Sequence, residues 1–576
     1  MPDPMLASGR EAPRLGWDES VDLVVIGAGA GGMAAALAGA LEGLEVLLCE
    51  RGGQVGGTAA TSAGTLWIPG NRHGREAGHP DTAEAAAIYL DTLVGDEPGR
   101  ALRRTYLAEG PAVLDYFESR SDVRFVACGM HPDYRDLPGA GTSGRAVVPE
   151  TFDGRLLGRA FRDVRPPIPE FMVLGGMMVG KADIPPLVGR FRSPSNFVHA
   201  AGLAARYLFD RIRGYPRGTR LVMGNALVGR LYYSLRRRQV PVRLRTGLVD
   251  LILQDGRVEG AVIESRGVLR RVKARCGVVL ATGGYAHDAA MRARYMPDPV
   301  PARSLASPDN QGAGISIGLR AGAKIDPLRY GSGAFWTPVS VTRRGAASGL
   351  FPHLSLDRAK PGLIAVDQAG RRFVNEAASY HDFVLGMFEA HRTRSAIPAY
   401  LVCETRFVRK YGLGCIPPGT TNLSRHVASG YLTCAGTLDG LAGALGIPAA
   451  ELSATVRRYN VQAKAGHDED FGKGTTALNR FNGDPGHGPN PCLAPIETGP
   501  FCALPVWPAE IACSTGLATD SHARVLDAQD RPIDGLYACG NDMGSIMGGA
   551  YPGPGTTLGP ALVFGYLAAM HARTRR

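Results

Sequence analysis

The run VDLVVIG from Val21, followed by Gly27-Ala28-Gly29-Ala30-Gly31-Gly32 and then MAAALAGALEG, constrains this chain more than any other feature. A short continuous apolar run ending in glycine predicts a buried parallel strand, and the small residues behind it predict a helix packed closely on that strand. A second apolar run, EVLLCE, ends at Glu50, at the spacing of about twenty residues that places an acid beside a bound ribose. Strand, glycine turn, helix, strand and acid together make a dinucleotide-binding unit. Its glycines let a pyrophosphate approach the helix N-terminus, where unpaired N–H groups and the positive end of the dipole favour an anion. Gly27, Gly29, Gly32 and Glu50 are the first candidate cofactor contacts.

The next residues separate FAD from NAD. Arg51-Gly52-Gly53-Gln54-Val55-Gly56-Gly57-Thr58 sets a second glycine loop directly after the acid, where backbone and hydroxyl groups can meet the flavin side of the cofactor. Arg51, Gly57, Thr58 and Ser62 join the candidate set. GVVLATGGY, ending near Gly283, and GLYACGN, ending at Asn541, read as two further strand ends turning at the same place. A helix predicted from Thr556 through Ala572 aims its N-terminus, with Leu558, at the flavin ring. Only one complete G-x-G-x-x-G is present, so no separate NAD(P)H-binding domain is expected. Electrons should leave to a quinone, a carrier protein or another diffusible acceptor.

Composition narrows the classes. The chain has 576 residues, 45% of them hydrophobic and 20% charged, which suits two interlocked domains of a soluble protein. Its ten cysteines are scattered without C-x-x-C pairs or His/Cys ligand spacing, so neither a metal site nor a disulfide framework is expected, and a reducing cytoplasm fits. Residues 1–17 read as a flexible lead-in without a targeting signal. The net charge of +11 raises nucleic acid or an anionic membrane as partners, yet no nucleic-acid-binding motif accompanies it, and no nucleic-acid partner is expected.

Three stretches, ERGGQVGGTAATSAGTLWIPGN, VNEAASYHDF and GLYACGNDMGSIMGGAYPGPGTTLGPALVFGYLAA, together resemble the 3-ketosteroid Δ1-dehydrogenases, within the fumarate reductase and succinate dehydrogenase flavoprotein superfamily. The resemblance covers nearly the whole chain. In the fumarate reductase branch an arginine after "RFVNE" delivers a proton; here Arg372-Phe373-Val374-Asn375-Glu376 is followed by Tyr380. The N-R-x-G-G arginine that clamps a dicarboxylate in that branch is replaced by Ala550-Tyr551-Pro552-Gly553-Pro554-Gly555, and the H-P-T segment is missing. Ala60-Thr61-Ser62 offers no histidine where covalently flavinylated members carry one. The resemblance therefore implies noncovalent FAD.

It also implies roles. Removing two hydrogens beside a ketone requires a polarised carbonyl, a base for the acidified C2 proton, and flavin N5 for the C1 hydride. By resemblance, the Tyr551 hydroxyl and the Gly555 N–H hold the C3 carbonyl oxygen, Tyr380 takes the proton, and Tyr134 in Met130-His131-Pro132-Asp133-Tyr134 assists it. A free phenol titrates near ~10, so a tyrosine base needs a neighbouring donor or the flavin region to favour phenolate, and Tyr134 as hydrogen-bond partner is one route. His131 and His381 lie beside these tyrosines and stay outside the catalytic set. The alternative activities are a 3-ketosteroid Δ4-(5α)-dehydrogenase, a fumarate- or urocanate-type reductase, and a flavin-binding electron carrier with vestigial catalytic residues.

Residues 165–220 exceed what that family needs. A helix is predicted from about Ser193, with Phe197, Ala201, Ala204, Leu208 and Ile212 on one side and Arg206, Arg211 and Arg213 elsewhere on its surface. Two readings stand: a peripheral membrane or substrate-entry element at the inner face of the cytoplasmic membrane, or a helix packed on the FAD domain or at a subunit contact with arginines facing water. The expected architecture is α/β: a discontinuous Rossmann-like FAD domain, 18–328 and 512–576, with an α+β catalytic domain, 329–511, inserted between.

Overall fold

The structure, a computed structural model, describes residues 16–576 apart from 80, 96–98, 328–331, 345–346 and 356. Most of the expected lead-in, and the junction at 328/329, lie outside the described residues.

Two large sheets organise the chain. The first has a parallel core in the order Val242–Leu244, Val46–Glu50, Glu19–Ile26, Val268–Leu280, Pro532–Ala538. Thr246–Gln254 and Arg257–Ser265 add an antiparallel hairpin beside the fourth of these strands. Every residue of Val46–Glu50 is buried, as are the final five of Glu19–Ile26, which is why both read as unbroken apolar runs rather than alternating ones. The helix Ala30–Leu41 packs on Leu558–Arg573. Strand Pro532–Ala538 pairs in parallel with Val268–Leu280. The Rossmann-like unit is thus completed by residues more than 500 positions from its first strand.

The second sheet is largely antiparallel, in the order Ala347–Pro352, Ala334–Arg344, Phe501–Cys513, Ala399–Glu404, Leu363–Val366. Helices including Tyr380–His391 and Ala449–Ala465 pack around it. Strand Phe501–Cys513 also pairs with the short strand Thr433–Ala435, where Cys434 faces Cys502. These two are joined as a disulfide. That corrects the expectation of no disulfide: strand pairing brings together two cysteines 68 residues apart, and sequence spacing carries no signal of it.

The helix of segment 165–220 runs Pro194–Ile212, capped by Ser193, whose hydroxyl accepts the Asn196 N–H. Its one buried residue is Asp210, which accepts hydrogen bonds from the Thr219 N–H and hydroxyl at 2.7 and 2.8 Å. Its apolar side faces outward: Ile212 is 75% exposed, and Phe197, Val198 and Leu208 are also exposed, as is Phe191 just before the helix. No helix among the described residues is long and apolar enough to cross a membrane.

Candidate active site

One continuous cavity runs from the glycine turn after the first strand to the edge of the second sheet. Gly29, Gly32, Gly57, Thr58, Ser62, Gly283, Asn541, Gly555 and Leu558 line it, and so do Tyr134, Tyr380 and Tyr551. Gly27, Glu50 and Arg51 lie beside the wall and not on it, Arg51 being exposed. The Glu50 carboxylate is buried and accepts the Ala28 and Gly52 N–H groups, both at 2.7 Å. It braces the turn, and burial raises its pKa.

The glycine end is shaped for a cofactor. A methyl group on Gly32 would lie 1.9 Å from the Gly27 carbonyl oxygen, so only glycine lets the helix sit this close to the turn, whereas a methyl on Gly29 would meet nothing within 4 Å and points into free space. The Thr58 hydroxyl accepts the Ser307 N–H at 2.8 Å and the Asn310 amide at 3.1 Å. Ser62 Oγ donates to the Ala59 carbonyl and accepts the Gly64 N–H. Opposite, the buried Asp542 accepts the Thr282 and Gly284 N–H groups at 2.5 and 3.0 Å and the Thr282 hydroxyl at 2.9 Å. It fixes the Thr282–Gly284 turn that carries Gly283 to the wall. Sequence reasoning missed Asp542, Thr282 and Asn310; an acid directly after a buried strand end was the available clue for Asp542.

At the other end the three tyrosines meet. Their hydroxyls form a chain, Tyr134 to Tyr380 at 3.2 Å and Tyr380 to Tyr551 at 2.9 Å. The Tyr134 and Tyr551 rings stack 11° from parallel, and Tyr380 stands edge-on to both. Phe335, Leu478, Ile511 and Ala512 pack around them. Each tyrosine comes from a different part of the chain. The Tyr134 N–H donates to the Pro552 carbonyl at 2.8 Å, which locks its loop to the Tyr551-Pro-Gly-Pro-Gly555 turn. Gly555 has φ +94°, and a methyl there would lie 2.4 Å from the Thr65 carbonyl oxygen.

Tyr380 opens the helix Tyr380–His391, capped by Ser379, whose hydroxyl accepts the Asp382 N–H at 3.0 Å. The loop before it is held from below. Arg372 bonds Glu376 and Asp468 at 2.8 to 2.9 Å, and Asn479 donates to the Ala377 carbonyl at 2.9 Å. The RFVNE stretch is therefore the foundation of the Tyr380 loop. From the opposite domain, Arg135 grips Asp382 through two hydrogen bonds, at 3.0 and 2.6 Å.

Burial raises all three phenols well above the ordinary tyrosine range. At Tyr380, the Tyr134 neighbour adds to this rise, while the Tyr551 hydrogen bond and the Arg358 guanidinium oppose it. The Tyr134 hydroxyl stands 3.2 Å from the Tyr380 oxygen, and Arg358 is the cation whose charge opposes the rise at Tyr380. His381 is buried, and burial lowers its pKa to about 4; its Nδ1 accepts the Trp336 N–H at 3.2 Å, and its ring packs on Phe335 and Tyr551. His131 lines the cavity against Phe481 and Tyr134, and burial lowers it likewise to about 4.

Comparison with known proteins gives this geometry its context. Residues 22–558 match the FAD binding domain family. A 3-oxosteroid 1-dehydrogenase of Mycobacterium tuberculosis is 35% identical over 96% of this chain and 98% of its own length. A 4-oxocyclohex-2-ene-1-carboxylate 5-dehydrogenase of Sinomonas cyclohexanicum is 38% identical over 95% of this chain and 92% of its own. The crystal structure of 3-ketosteroid Δ1-dehydrogenase from Sterolibacterium denitrificans, in complex with 1,4-androstadiene-3,17-dione, superposes with a TM-score of 0.89, at 34% identity, over 97% of this chain and 100% of that one. The chain belongs to the 3-ketosteroid Δ1-dehydrogenase family. It is an FAD-dependent oxidoreductase. For a member of this family the glycine-lined end of the cavity fits FAD, and Gly29, Gly32, Gly57, Thr58, Gly283, Asn541 and Leu558 line it.

Proposed function

We propose that the enzyme performs the 1,2-dehydrogenation of 3-ketosteroids. The observation that carries this reading is the convergence of Tyr134, Tyr380, Tyr551 and Gly555 on one cavity with the cofactor-binding glycines. FAD, when bound, supplies the acceptor for the C1 hydride. The protein supplies the rest. Burial keeps the Tyr551 hydroxyl protonated, so it donates to the C3 carbonyl oxygen together with the Gly555 N–H, and the two stabilise the enolate that forms as the C2 proton leaves. Tyr380 Oη takes that proton, and Tyr134, 3.2 Å away, fixes the orientation of the Tyr380 hydroxyl.

Ile168, Phe171, Leu354, Leu478 and Ile511 give the cavity an apolar wall, and its described lining carries no lysine or arginine. That favours a flat neutral steroid over a ketoacid. The second reading is a monocyclic oxo-carboxylate, favoured by the 38% identity to the Sinomonas enzyme. Anaerobic mixing with androst-4-ene-3,17-dione decides between them: flavin bleaching with a C1–C2 double bond in the product is expected. Bleaching only by 4-oxocyclohex-2-ene-1-carboxylate would establish the second reading, and bleaching only by a 5α-saturated 3-ketosteroid, with a C4–C5 double bond in the product, would overturn both.

The catalytic domain is taken as 329–511 and the FAD domain as the remainder from residue 18. Peripheral membrane association at the inner face of the cytoplasmic membrane is part of the proposal. Support comes from the outward apolar face of Pro194–Ile212, the exposed Arg190, Arg192, Arg211 and Arg213 near it, and the position of Ile168 and Phe171 from the same segment on the cavity wall. A lipid-soluble quinone suits such a location as the electron acceptor.

A further inference from the structure

Arg358 stands just below the site, and its setting is unusual. It is 2% exposed, yet among the described residues no carboxylate lies within ion-pair distance of its guanidinium. Its N–H groups go instead to main-chain carbonyls: Nε to His353 at 3.0 Å, Nη1 to Glu376 at 2.7 Å and Ala378 at 3.2 Å, Nη2 to Leu354 at 3.1 Å. The ring of Phe383, one turn into the Tyr380 helix, lies 4.9 Å beneath it. The neighbouring acids are engaged elsewhere, Asp357 with His353 at 2.6 Å and Glu376 with Arg372. Two of the four carbonyls, those of Glu376 and Ala378, belong to the loop that leads into Ser379 and Tyr380, and a third belongs to Leu354 of the cavity wall.

A buried cation without a paired carboxylate is costly unless nearby negative charge offsets it. Carbonyl dipoles offset part. Beyond them, the charge of Arg358 acts first on the Asp357 and Glu376 carboxylates and next on the Tyr134 and Tyr380 hydroxyls. Around Tyr380 the other ionisable groups are Tyr134 and Tyr551, neutral His381, the Arg135–Asp382 pair, and Glu376 in its bonds to Arg372.

We propose that Arg358 is a positioning residue for the dehydrogenation: it holds the Tyr380 loop through the Glu376 and Ala378 carbonyls and is the counter-cation of the Tyr380 phenolate. This rests on the reading of Tyr380 as the base. The proton balance is simple, because Arg358 keeps all its protons while Tyr380 Oη gains the one leaving C2.

The test is a double-mutant cycle on FAD-loaded protein, reading the anaerobic rate of flavin reduction by androst-4-ene-3,17-dione. R358Q is expected to slow reduction at least about tenfold at neutral pH with substrate affinity unchanged, and R358K to stay within about threefold of wild type. In the Y380F background neither change should slow the residual rate further. Equal losses with and without Tyr380 would show a merely structural role and overturn the proposal. If R358Q does not hold FAD, R358K decides: restored reduction whose remaining deficit vanishes in the Y380F background supports it, and a deficit that persists there sinks it. If wild-type flavin is reduced normally but the cycle is additive, Arg358 alone is misassigned. If no cyclic ketone reduces wild-type flavin, both the base assignment and this inference fall.

Discussion

Tyr380 carries the sharpest residue-scale expectations. Replacing it by phenylalanine removes the proton acceptor and leaves its neighbours' packing intact. Flavin reduction should fall by about 10² to 10⁴, the usual contribution of a positioned base, with FAD content unchanged by absorbance. The sign of the pH dependence follows from burial, which pushes the phenol up. The reactive form is the phenolate, so single-turnover flavin reduction should climb as pH rises through the neutral range and be lost as pH falls; a rate flat with pH would rule out Tyr380 as the base. Gly555 gives a second case. An alanine there puts its methyl against the Thr65 carbonyl at a backbone angle that disfavours any side chain. A G555A protein should retain its yellow colour while reducing its flavin at least about a hundredfold more slowly, since the N–H that faces the carbonyl oxygen is displaced.

Elements differ in how openly the sequence announces them. The turn between Glu19–Ile26 and Ala30–Leu41 was legible because apolar run, glycine spacing and small-residue helix all report on one local geometry. The three tyrosines were legible only through motif resemblance, since nothing local in Tyr134 tells of Tyr380 at 246 residues' distance. Asp542 and the Cys434–Cys502 bond escaped for the same reason: each depends on which strand ends become neighbours. The helix Pro194–Ile212 was legible as an element while its orientation stayed open between two readings, because an apolar stripe looks the same whether it meets protein or lipid. Its outward stripe predicts binding to vesicles containing anionic lipid. Glutamine at both Leu208 and Ile212 should abolish co-sedimentation and leave reduction by a soluble ketosteroid unchanged; undiminished sedimentation would remove the helix from the membrane reading.

At the scale of the whole molecule the site belongs to no single stretch of chain. The glycine turn is N-terminal, Tyr380 rides on the inserted domain, and Asn541, Tyr551, Gly555 and Leu558 arrive late, with Arg135–Asp382 tying the two domains together across the cavity. Ending the chain before Gly540 should yield a protein without 450 nm flavin absorbance, even with excess FAD, because one wall of the cavity and the helix that covers Ala30–Leu41 are missing. A flavin-binding fragment of that kind would contradict the interlocked architecture. The same interleaving has a bearing on biogenesis. Chains emerge from the ribosome N-terminus first, and here the nucleotide-binding half is synthesised long before Pro532–Ala538 can pair with Val268–Leu280. For most of translation the helix Ala30–Leu41 lacks its Leu558–Arg573 partner and the cavity its last wall. Flavin loading is therefore a late event, open only once the C-terminal strand and helix have been made and the cavity has all its walls.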